Sequence, residues 1–317
     1  MEYFFDPEIS MMMRELPEGT LALDFSDPIT CRSTLETFAG AMEMDFSGIQ
    51  VTNEFVESEP DGHKVPVRIY TPEKRKEKSG GLIHVHGGGF VIGSLDSEQA
   101  TCIKLCKELE IVVISVGYRL APEHPYPSAL NDCYAALLWA SNSADNLLLD
   151  RERLGIYGLS AGGGLCAALA LLSRDRNGPP ICFQYLGIPE LDDRLNTPSM
   201  QSFSDTPIWN QELSELSWKY YLGNNYIPGG DNVPIYAAPA RANNLRGLPR
   251  AYISTMEFDP LRDEGILYAL KLMQEGVQTE LHSFPGTFHG SHFFSEAKIN
   301  KRAHEETIRV LKNGLGL

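Results

Sequence analysis

The sequence predicts an α/β fold with a parallel sheet, and three observations lead to this fold class. Short apolar runs typical of buried strands alternate with longer segments typical of helices, which implies parallel strands joined by right-handed crossovers. The run at 111–116 has no polar alternation, as expected of a strand covered on both faces. The run at 154–157 leads through a glycine-flanked turn into a helical segment at 161–172. These patterns together indicate a doubly wound sheet.

Composition limits the classes of protein and partner. The 317 residues suffice for one large α/β domain or two smaller ones, and 43% hydrophobic with 22% charged residues is ordinary for a soluble protein. A formal charge of −15 argues against nucleic acid or an anionic membrane as a partner. No apolar stretch approaches the ~20 residues of a transmembrane helix, and no secretory signal pattern is visible. Six scattered cysteines favour free thiols over zinc. We expect a cytoplasmic protein.

Two segments depart from the α/β pattern. Residues 1–48 predict a helical arm, with short helices at Met11–Met13 and 34–44. The sequence leaves open whether this arm is an ordinary packed segment or a lid over a pocket. Residues 195–234 carry aromatic and apolar side chains at helical spacing and predict an inserted helical segment. The α/β domain is predicted to occupy 49–194 and 235–317.

The remaining elements follow from periodicity. The first two strands alternate apolar and polar side chains, whereas most later strands are continuous apolar runs. Strands are predicted at 49–56, 65–70, 82–86, 111–116, 154–157, 181–186, 250–256 and 279–284. Helices are predicted at 97–110, 128–141, 161–172, 261–275 and 296–312. A charged segment, 73–78, followed by Gly80-Gly81, predicts a solvated loop.

A glycine loop follows the strand at 82–86. In Gly87-Gly88-Gly89-Phe90, consecutive glycines let the backbone turn its N–H groups toward a ligand, as stabilisation of an oxyanion requires. His84 and His86 share a strand face and form a possible metal pair, but no third ligand follows at a suitable spacing. We interpret His86 as orienting the loop and His84 as structural, and we expect no metal.

Ser160 lies in the predicted strand-to-helix turn Gly158-Leu159-Ser160-Ala161-Gly162. Glycines at both second neighbours suit a sharp turn, because a Cβ at either position would crowd the neighbouring backbone. Such a turn raises one hydroxyl above the sheet edge, beside the first N–H groups of a helix. This context predicts that Ser160 is a nucleophile.

A serine nucleophile needs a base, and the base needs an acid that holds it in one tautomer. The chain order in doubly wound folds of this kind is serine, acid, histidine. Asp259 follows the strand that ends near residue 256 and is the predicted acid. Glu257 is the stronger rival, while Asp263 and Glu264 would lie in the first turn of the next helix, where the helix dipole accounts for them.

The base is expected in the loop after the last strand. His289 occupies that position, and His292 remains a rival three residues later. His282 lies within the strand itself, where a structural role is expected. Three further histidines lie outside the expected loops: His63, His124 and His304.

The motifs resemble, in order, those of the bacterial hormone-sensitive-lipase-like esterases of the α/β-hydrolase superfamily. The matching stretches are His86-Gly87-Gly88-Gly89-Phe90, 118–127, 158–163, 259–264 and Phe288-His289-Gly290. The resemblance implies a mostly parallel eight-stranded sheet flanked by helices, with a helical cap built from the N-terminal arm and the insertion. It also implies hydrolysis of small carboxylic esters with short to medium acyl chains, without a cofactor. Homodimers occur among similar proteins, so a homodimer is possible here.

Carried over to this sequence, the resemblance gives Ser160 as nucleophile, His289 as general base and acid, and Asp259 as its partner. The oxyanion would be held by N–H groups of Gly88, Gly89 and Ala161. Three aromatic residues are candidates for the wall of the substrate pocket, because their segments should face the site: Phe90, Phe203 and Trp209. The alternative, that these rings only pack the cap, stays open because aromatic side chains often serve as core.

Two positions depart from the family pattern. Leu159 stands where an aspartate is usual, which predicts a drier and differently shaped pocket wall beside Ser160. Ser291 stands where an aromatic residue is common, so the shape of the histidine loop is open. Two alternative functions use the same architecture: an amidase or peptidase with the same triad, and a non-catalytic small-molecule receptor, against which the histidine at 289 argues.

Overall fold

A computed structural model describes residues 3–17, 19–40, 43–59, 61–74 and 78–317. Parts of two predictions lie outside these residues. They are the beginning of the N-terminal arm with its positions 18, 41 and 42, and the middle of the charged segment, 75–77.

The described chain forms an eight-stranded sheet with the order β1-β2-β4-β3-β5-β6-β7-β8. The strands are β1 (Ile49–Ser58), β2 (His63–Pro72), β3 (Ser79–Val85), β4 (Val112–Val116), β5 (Leu149–Leu159), β6 (Phe183–Gly187), β7 (Arg250–Phe258) and β8 (Thr279–Phe288). Strand β2 pairs antiparallel with both of its neighbours, and the strands from β4 to β8 pair parallel throughout. The predicted mostly parallel sheet is confirmed.

Helices cover both faces of the sheet, as continuously apolar parallel strands require. They are α1 (Pro7–Glu15), α2 (Pro28–Gly40), α3 (Gln99–Leu109), α4 (Ser128–Asn142), α5 (Ala161–Asp175), α6 (Pro198–Ser202), α7 (Gln211–Leu222), α8 (Arg262–Gln274) and α9 (Lys298–Leu315). One core cluster joins α4, α5 and α8 to the sheet, and a second joins α3 and α9 to it. Within the described ranges, no helix is long and apolar enough to cross a membrane.

Several elements begin earlier than predicted. Helix α1 starts at Pro7 because the Asp6 carboxylate accepts hydrogen bonds from the N–H groups of Glu8 and Ile9. Helix α2 starts at Pro28, six residues before its predicted start at 34. Strand β3 starts at Ser79, so Gly80-Gly81 belongs to the sheet and not to the predicted loop.

The arm and the insertion both pack near the carboxyl ends of the parallel strands. Phe25 of the arm lies edge-on to Trp209 of the insertion, with ring centroids 5.6 Å apart. Both rings lie against Gly89, since a Cβ placed there would be 2.5 Å from Trp209 and 2.9 Å from Phe25. The division of the chain at residues 49, 195 and 235 into domain and cap stays a prediction.

Candidate active site

Ser160 occupies a sharp turn between β5 and α5. Its φ of 55° and ψ of −126° are unusual for a residue with a side chain. A Cβ on Gly158 would lie 2.2 Å from the carbonyl oxygen of Gly162, and one on Gly162 would lie 2.2 Å from that of Val85. Only glycine fits either position, which explains the flanking pattern seen in the sequence.

Three predicted residues form a continuous hydrogen-bonded chain. His289 Nε2 lies 2.9 Å from Ser160 Oγ, and His289 Nδ1 lies 2.8 Å from Asp259 Oδ2. Because a carboxylate only accepts, Nδ1 carries the hydrogen and Nε2 is left to accept the serine proton. All three side chains are buried, so their interactions are weakly screened by water.

The rival acids have other partners. Glu257 accepts a hydrogen bond from the N–H of Gly286 at 2.7 Å. Asp263 accepts one from the N–H of Ser199 at 2.8 Å. Glu264 accepts from two N–H groups in the loop after β6. Asp259 accepts a second bond, 2.8 Å, from the N–H of Leu261, which fixes its carboxylate toward the histidine.

The rival histidines also lie elsewhere. The ring of His292 packs on Phe293, with centroids 4.5 Å apart. His282 stacks on Phe284 at 4.1 Å, and its Nε2 is 2.9 Å from an arginine of α9. Strand β8 runs to Phe288, so His289 is the first residue after it.

The glycine loop is held so that two N–H groups are available. His86 Nδ1 lies 2.8 Å from the carbonyl oxygen of Gly87 and donates to it. Two N–H groups of the following turn donate to the carbonyl of Gly88 at 2.9 and 3.0 Å. In a trans peptide the N–H points opposite to the C=O. The N–H groups of Gly88 and Gly89 therefore point away from these held carbonyls.

The third predicted donor is fixed in the same way. The carbonyl of Ser160 accepts from the N–H of Gly164 at 3.0 Å and of Glu190 at 3.1 Å, which orients the N–H of Ala161 oppositely. Across the described part of the chain, the N–H groups of Gly88, Gly89 and Ala161 donate to no protein acceptor. Three donors beside one serine suit the binding of an oxyanion.

His86 contacts the glycine loop as predicted, and its charge state follows from its surroundings. Burial lowers the pKa of His86 to about 4, so the ring is neutral near pH 7. Its ring stacks on Tyr118 with centroids 4.0 Å apart, and the Tyr118 hydroxyl donates to the backbone carbonyl of His86 at 2.9 Å. Burial also lowers the pKa of His84, to about 3. Among the described residues, no group of three or more side chains suits a metal ion.

Trp209 and Leu159 border the candidate site. The Trp209 ring lies 5.6 Å from that of His289, between centroids, and contacts Gly89 as described above. Leu159 is half-buried and leans toward the end of β6, where a Cβ on Gly187 would lie 2.2 Å from its Cδ2. An apolar side chain thus stands beside Ser160, at the position where the resemblance leads one to expect an aspartate.

The other two predicted pocket residues have rings packed among aromatic side chains. Phe90 stacks on Tyr221 with centroids 3.9 Å apart, within the main core. Phe203 lies edge-on to Tyr3 and Phe258, with centroids 5.9 and 6.1 Å away. Both rings therefore pack against neighbouring aromatic side chains.

Ser291 is buried in the loop after His289. Its Oγ accepts a hydrogen bond from the N–H of Phe288 at 3.3 Å, and its carbonyl accepts one from Asn300 Nδ2 at 2.7 Å. Ser291 thereby ties the loop at both ends, one through its side chain and the other through its backbone carbonyl. Its full burial leaves no room for an aromatic ring without rearrangement.

A cavity of about 450 Å³ lies between the arm and the insertion. Its lining comes from Met13, Leu16, Pro17 and Gly19 to Leu23 of the arm and from residues between Thr206 and Leu213 of the insertion. It adjoins the histidine loop, since a Cβ on Gly290 would lie 3.0 Å from Ile208 of its wall.

Sequence reasoning missed Glu190 and Ser217. Ser217 Oγ lies 2.8 Å from Glu190 Oε1 and 2.9 Å from the carbonyl oxygen of Gly89, and both residues are fully buried. One signal was available: Glu190 is a carboxyl group in the apolar segment directly after β6, at the same sheet edge as Ser160.

Comparisons with known proteins agree with this fold. The sequence model of a family described as having the alpha/beta hydrolase fold matches residues 82–293. Carboxylesterase NlhH of Mycobacterium tuberculosis is 38% identical over 247 residues, covering 78% of this chain and 76% of that protein. An arylesterase of Saccharolobus solfataricus is 36% identical over 233 residues, covering 72% and 73%. The solved structure of a bacterial heroin esterase, 45% identical, superposes with a TM-score of 0.95 over 98% of both chains. The chain therefore belongs to the α/β-hydrolase family, in its hormone-sensitive-lipase-like branch.

Proposed function

We propose that this protein is a serine esterase that hydrolyses carboxylic esters of short to medium acyl chains through Ser160, His289 and Asp259. The broader assignment, a carboxylic ester hydrolase, rests on the family and on relatives such as carboxylesterase NlhH. The observation that carries the finer proposal is the buried hydrogen-bonded chain from Ser160 Oγ through His289 to Asp259.

In the first half of the reaction, His289 Nε2 takes the proton of Ser160 as its Oγ attacks the ester carbonyl carbon. Asp259 holds the ring in the required tautomer and stabilises the imidazolium that forms. The tetrahedral intermediate collapses when His289 returns the proton to the departing alcohol, leaving an acyl group on Ser160.

In the second half, water takes the place of the alcohol. His289 removes a proton from the water as its oxygen attacks the acyl carbon, and the proton then returns to Ser160 Oγ. The products are a carboxylic acid and the regenerated serine, and no cofactor enters this proposed sequence.

The N–H groups of Gly88, Gly89 and Ala161 are proposed to bind the oxyanion in both halves. Removing one such donor in other enzymes costs about 3 kcal/mol of transition-state stabilisation, a factor of 10²–10³ in kcat. The loop geometry is therefore assigned to catalysis as well as to binding.

The cavity between the arm and the insertion is proposed to hold the variable part of the substrate. Its lining includes Leu16, Leu21, Leu23 and Ile208, which suit an aliphatic acyl chain. A Leu21→Trp variant should fill part of this volume. We expect it to lose activity on hexanoate esters by about tenfold relative to acetate esters.

The proposed function is tested by hydrolysis of p-nitrophenyl esters from acetate to decanoate. We expect kcat/KM to be highest between acetate and hexanoate, and Ser160→Ala to abolish turnover. A wild-type protein without turnover on any ester, or a Ser160→Ala variant as active as wild type, would overturn it and favour a small-molecule receptor of the same fold.

An amidase or peptidase could use the same triad. Matched ester and anilide substrates with one acyl group separate the two activities. We expect the ester to be preferred by at least about 10³ in kcat/KM, and comparable rates would favour the amidase.

A further inference from the structure

A buried carboxyl group that the proposed mechanism does not use lies behind the nucleophile turn, which is the turn at Ser160. Glu190 follows β6, is fully buried, and donates its backbone N–H to the carbonyl of Ser160 at 3.1 Å. Its side chain contacts Ser217 of α7, whose hydroxyl in turn contacts the carbonyl of Gly89. Glu190 therefore connects the nucleophile turn, the insertion and the glycine loop.

The number of hydrogen atoms available determines the direction of the hydrogen bonds at Ser217. Ser217 has one hydroxyl hydrogen, and the carbonyl of Gly89 can only accept. When Ser217 donates to Gly89, the hydrogen between Ser217 and Glu190 must come from Glu190, which is then a neutral acid. When Glu190 is ionised, its carboxylate is the stronger acceptor and draws the Ser217 hydroxyl away from Gly89.

The surroundings of Glu190 favour the neutral acid. It is buried, and Asp259 at the end of β7 and Glu264 on α8 are the carboxyl groups that face it. The phenols of Tyr118, after β4, and Tyr221, on α7, also face it. Within the described residues, Glu190 forms no ion pair with a lysine or arginine, and its Oε2 has no hydrogen-bond partner. Burial and the charge of Asp259 raise its pKa to about 8.

The Gly89 carbonyl is a sensitive point of attachment. Gly88 and Gly89 have φ values of 108° and 56°, and Phe90 has 61°, so the loop passes through three consecutive left-handed conformations. With no Cβ at Gly89, the peptide on either side is oriented by its hydrogen bonds. Losing the bond from Ser217 leaves the peptide after Gly89 without that restraint, next to the proposed oxyanion donors.

We propose that Glu190 is a positioning residue which, in its neutral form, holds the glycine loop through Ser217 and releases it on ionisation. This inference rests on the proposed esterase function, because it assigns the loop to oxyanion binding. The active form is the protonated one, so activity declines as the pH rises.

The test is the pH dependence of kcat between pH 6 and 9.5 with p-nitrophenyl butyrate, read at the isosbestic wavelength of the product. Wild type should lose activity with an apparent pKa near 8, about fivefold between pH 7 and pH 9 if the ionised form keeps about a tenth of the activity. In Glu190→Gln, the amide N–H donates to Ser217 at every pH, so the ratio of kcat at pH 9 to pH 7 should stay near one.

Two further variants keep the test decisive if Glu190→Gln folds poorly. Ser217→Ala breaks the connection at all pH values and should lower kcat about tenfold with little change in KM, without the alkaline decline. Ser217→Thr keeps the hydroxyl and should retain the decline.

Glu264→Gln is the matched control, since it neutralises a second buried glutamate outside the connection. It should leave the decline in kcat at its wild-type pH, because the pKa of Glu190 is raised by burial and by the charge of Asp259. The proposal is overturned if kcat still declines at alkaline pH in both Glu190→Gln and Ser217→Ala. It is also overturned if an active wild type shows no such decline. Failure of the esterase function itself is a separate result, because it shows as no Ser160-dependent turnover at any pH.

Discussion

Phe258 of β7 pairs in register with Phe288 of β8. The residue after Phe258 is Asp259, the proposed acid, and the residue after Phe288 is His289, the proposed base. Phe5 of the arm packs on both rings, with centroids 5.4 Å from Phe258 and 4.8 Å from Phe288. The arm therefore supports the two strand ends that Asp259 and His289 follow. An N–H of the arm, at Asp6, also donates to the carbonyl of Gly286 at 2.8 Å.

Phe5→Ala should weaken this support. We expect a loss of about 1–3 kcal/mol in the free energy of unfolding, because a half-buried ring with two aromatic partners is removed. We also expect kcat to fall about tenfold, since small displacements of catalytic groups are costly. Urea unfolding and steady-state kinetics measure the two effects.

Phe4→Ala is the matched control, because the neighbouring ring is 75% exposed. It should change the free energy of unfolding by less than about 0.5 kcal/mol. A fully folded Phe5→Ala variant with wild-type kcat would refute the supporting role, whatever its stability.

His289→Ala and His292→Ala should differ sharply. His289 lies between Ser160 and Asp259, so its loss should lower kcat by about 10⁴-fold or more. His292 packs on Phe293, and its loss should cost less than about tenfold. Purified variants assayed at saturating substrate separate them, and the reverse order of effects would move the base assignment to His292.

The sheet and the meeting of Ser160, His289 and Asp259 could be anticipated from the sequence because they depend on local patterns. Apolar runs mark the strands, and the carboxyl ends of parallel strands share one edge, so residues after successive strands meet. Ser160, Asp259 and His289 each follow such a strand within one residue. Glycines flanking Ser160 report a steric requirement of the turn itself.

Contacts set by tertiary packing could not be anticipated in this way. Phe90 ends the glycine loop and has a backbone φ of 61°. Its ring nevertheless stacks on Tyr221 in the core. Glu190 meets Ser217 only because α7 lies over the end of β6, and no periodic pattern encodes that approach. The start of α2 at Pro28 was missed because it precedes the apolar segment used to predict it.

Trp209 should affect stability and activity together. Trp209→Ala removes a buried ring that contacts Gly89 and lies beside His289, and we expect a cost of about 3–5 kcal/mol with a reduced kcat. Trp209→Phe should cost less, about 1–2 kcal/mol, because the indole N–H has no hydrogen-bond partner among the described residues. Thermal unfolding with activity assays tests this order, and equal losses would contradict it.

The buried carboxyl group of Glu190 should make stability depend on pH. Its pKa is about 8 in the folded protein, against about 4.3 in an unfolded chain. Between these values the folded state holds a proton that the unfolded state lacks, so this group lowers stability as pH rises, by up to about 1.4 kcal/mol per unit. Above the folded pKa the contribution levels off.

Glu190→Gln removes this dependence, so its advantage over wild type should grow from pH 5.5 to pH 7.5 by about 1–3 kcal/mol. Urea unfolding at three pH values measures this difference in the free energy of unfolding. Glu59→Gln, at an exposed position, is the control, and its free energy of unfolding should change with pH as that of wild type does. If the free energies of unfolding of Glu190→Gln and wild type changed equally with pH, Glu190 would already be ionised in the folded protein. In that state Ser217 would donate to the carboxylate, and Gly89 would have to be held without it.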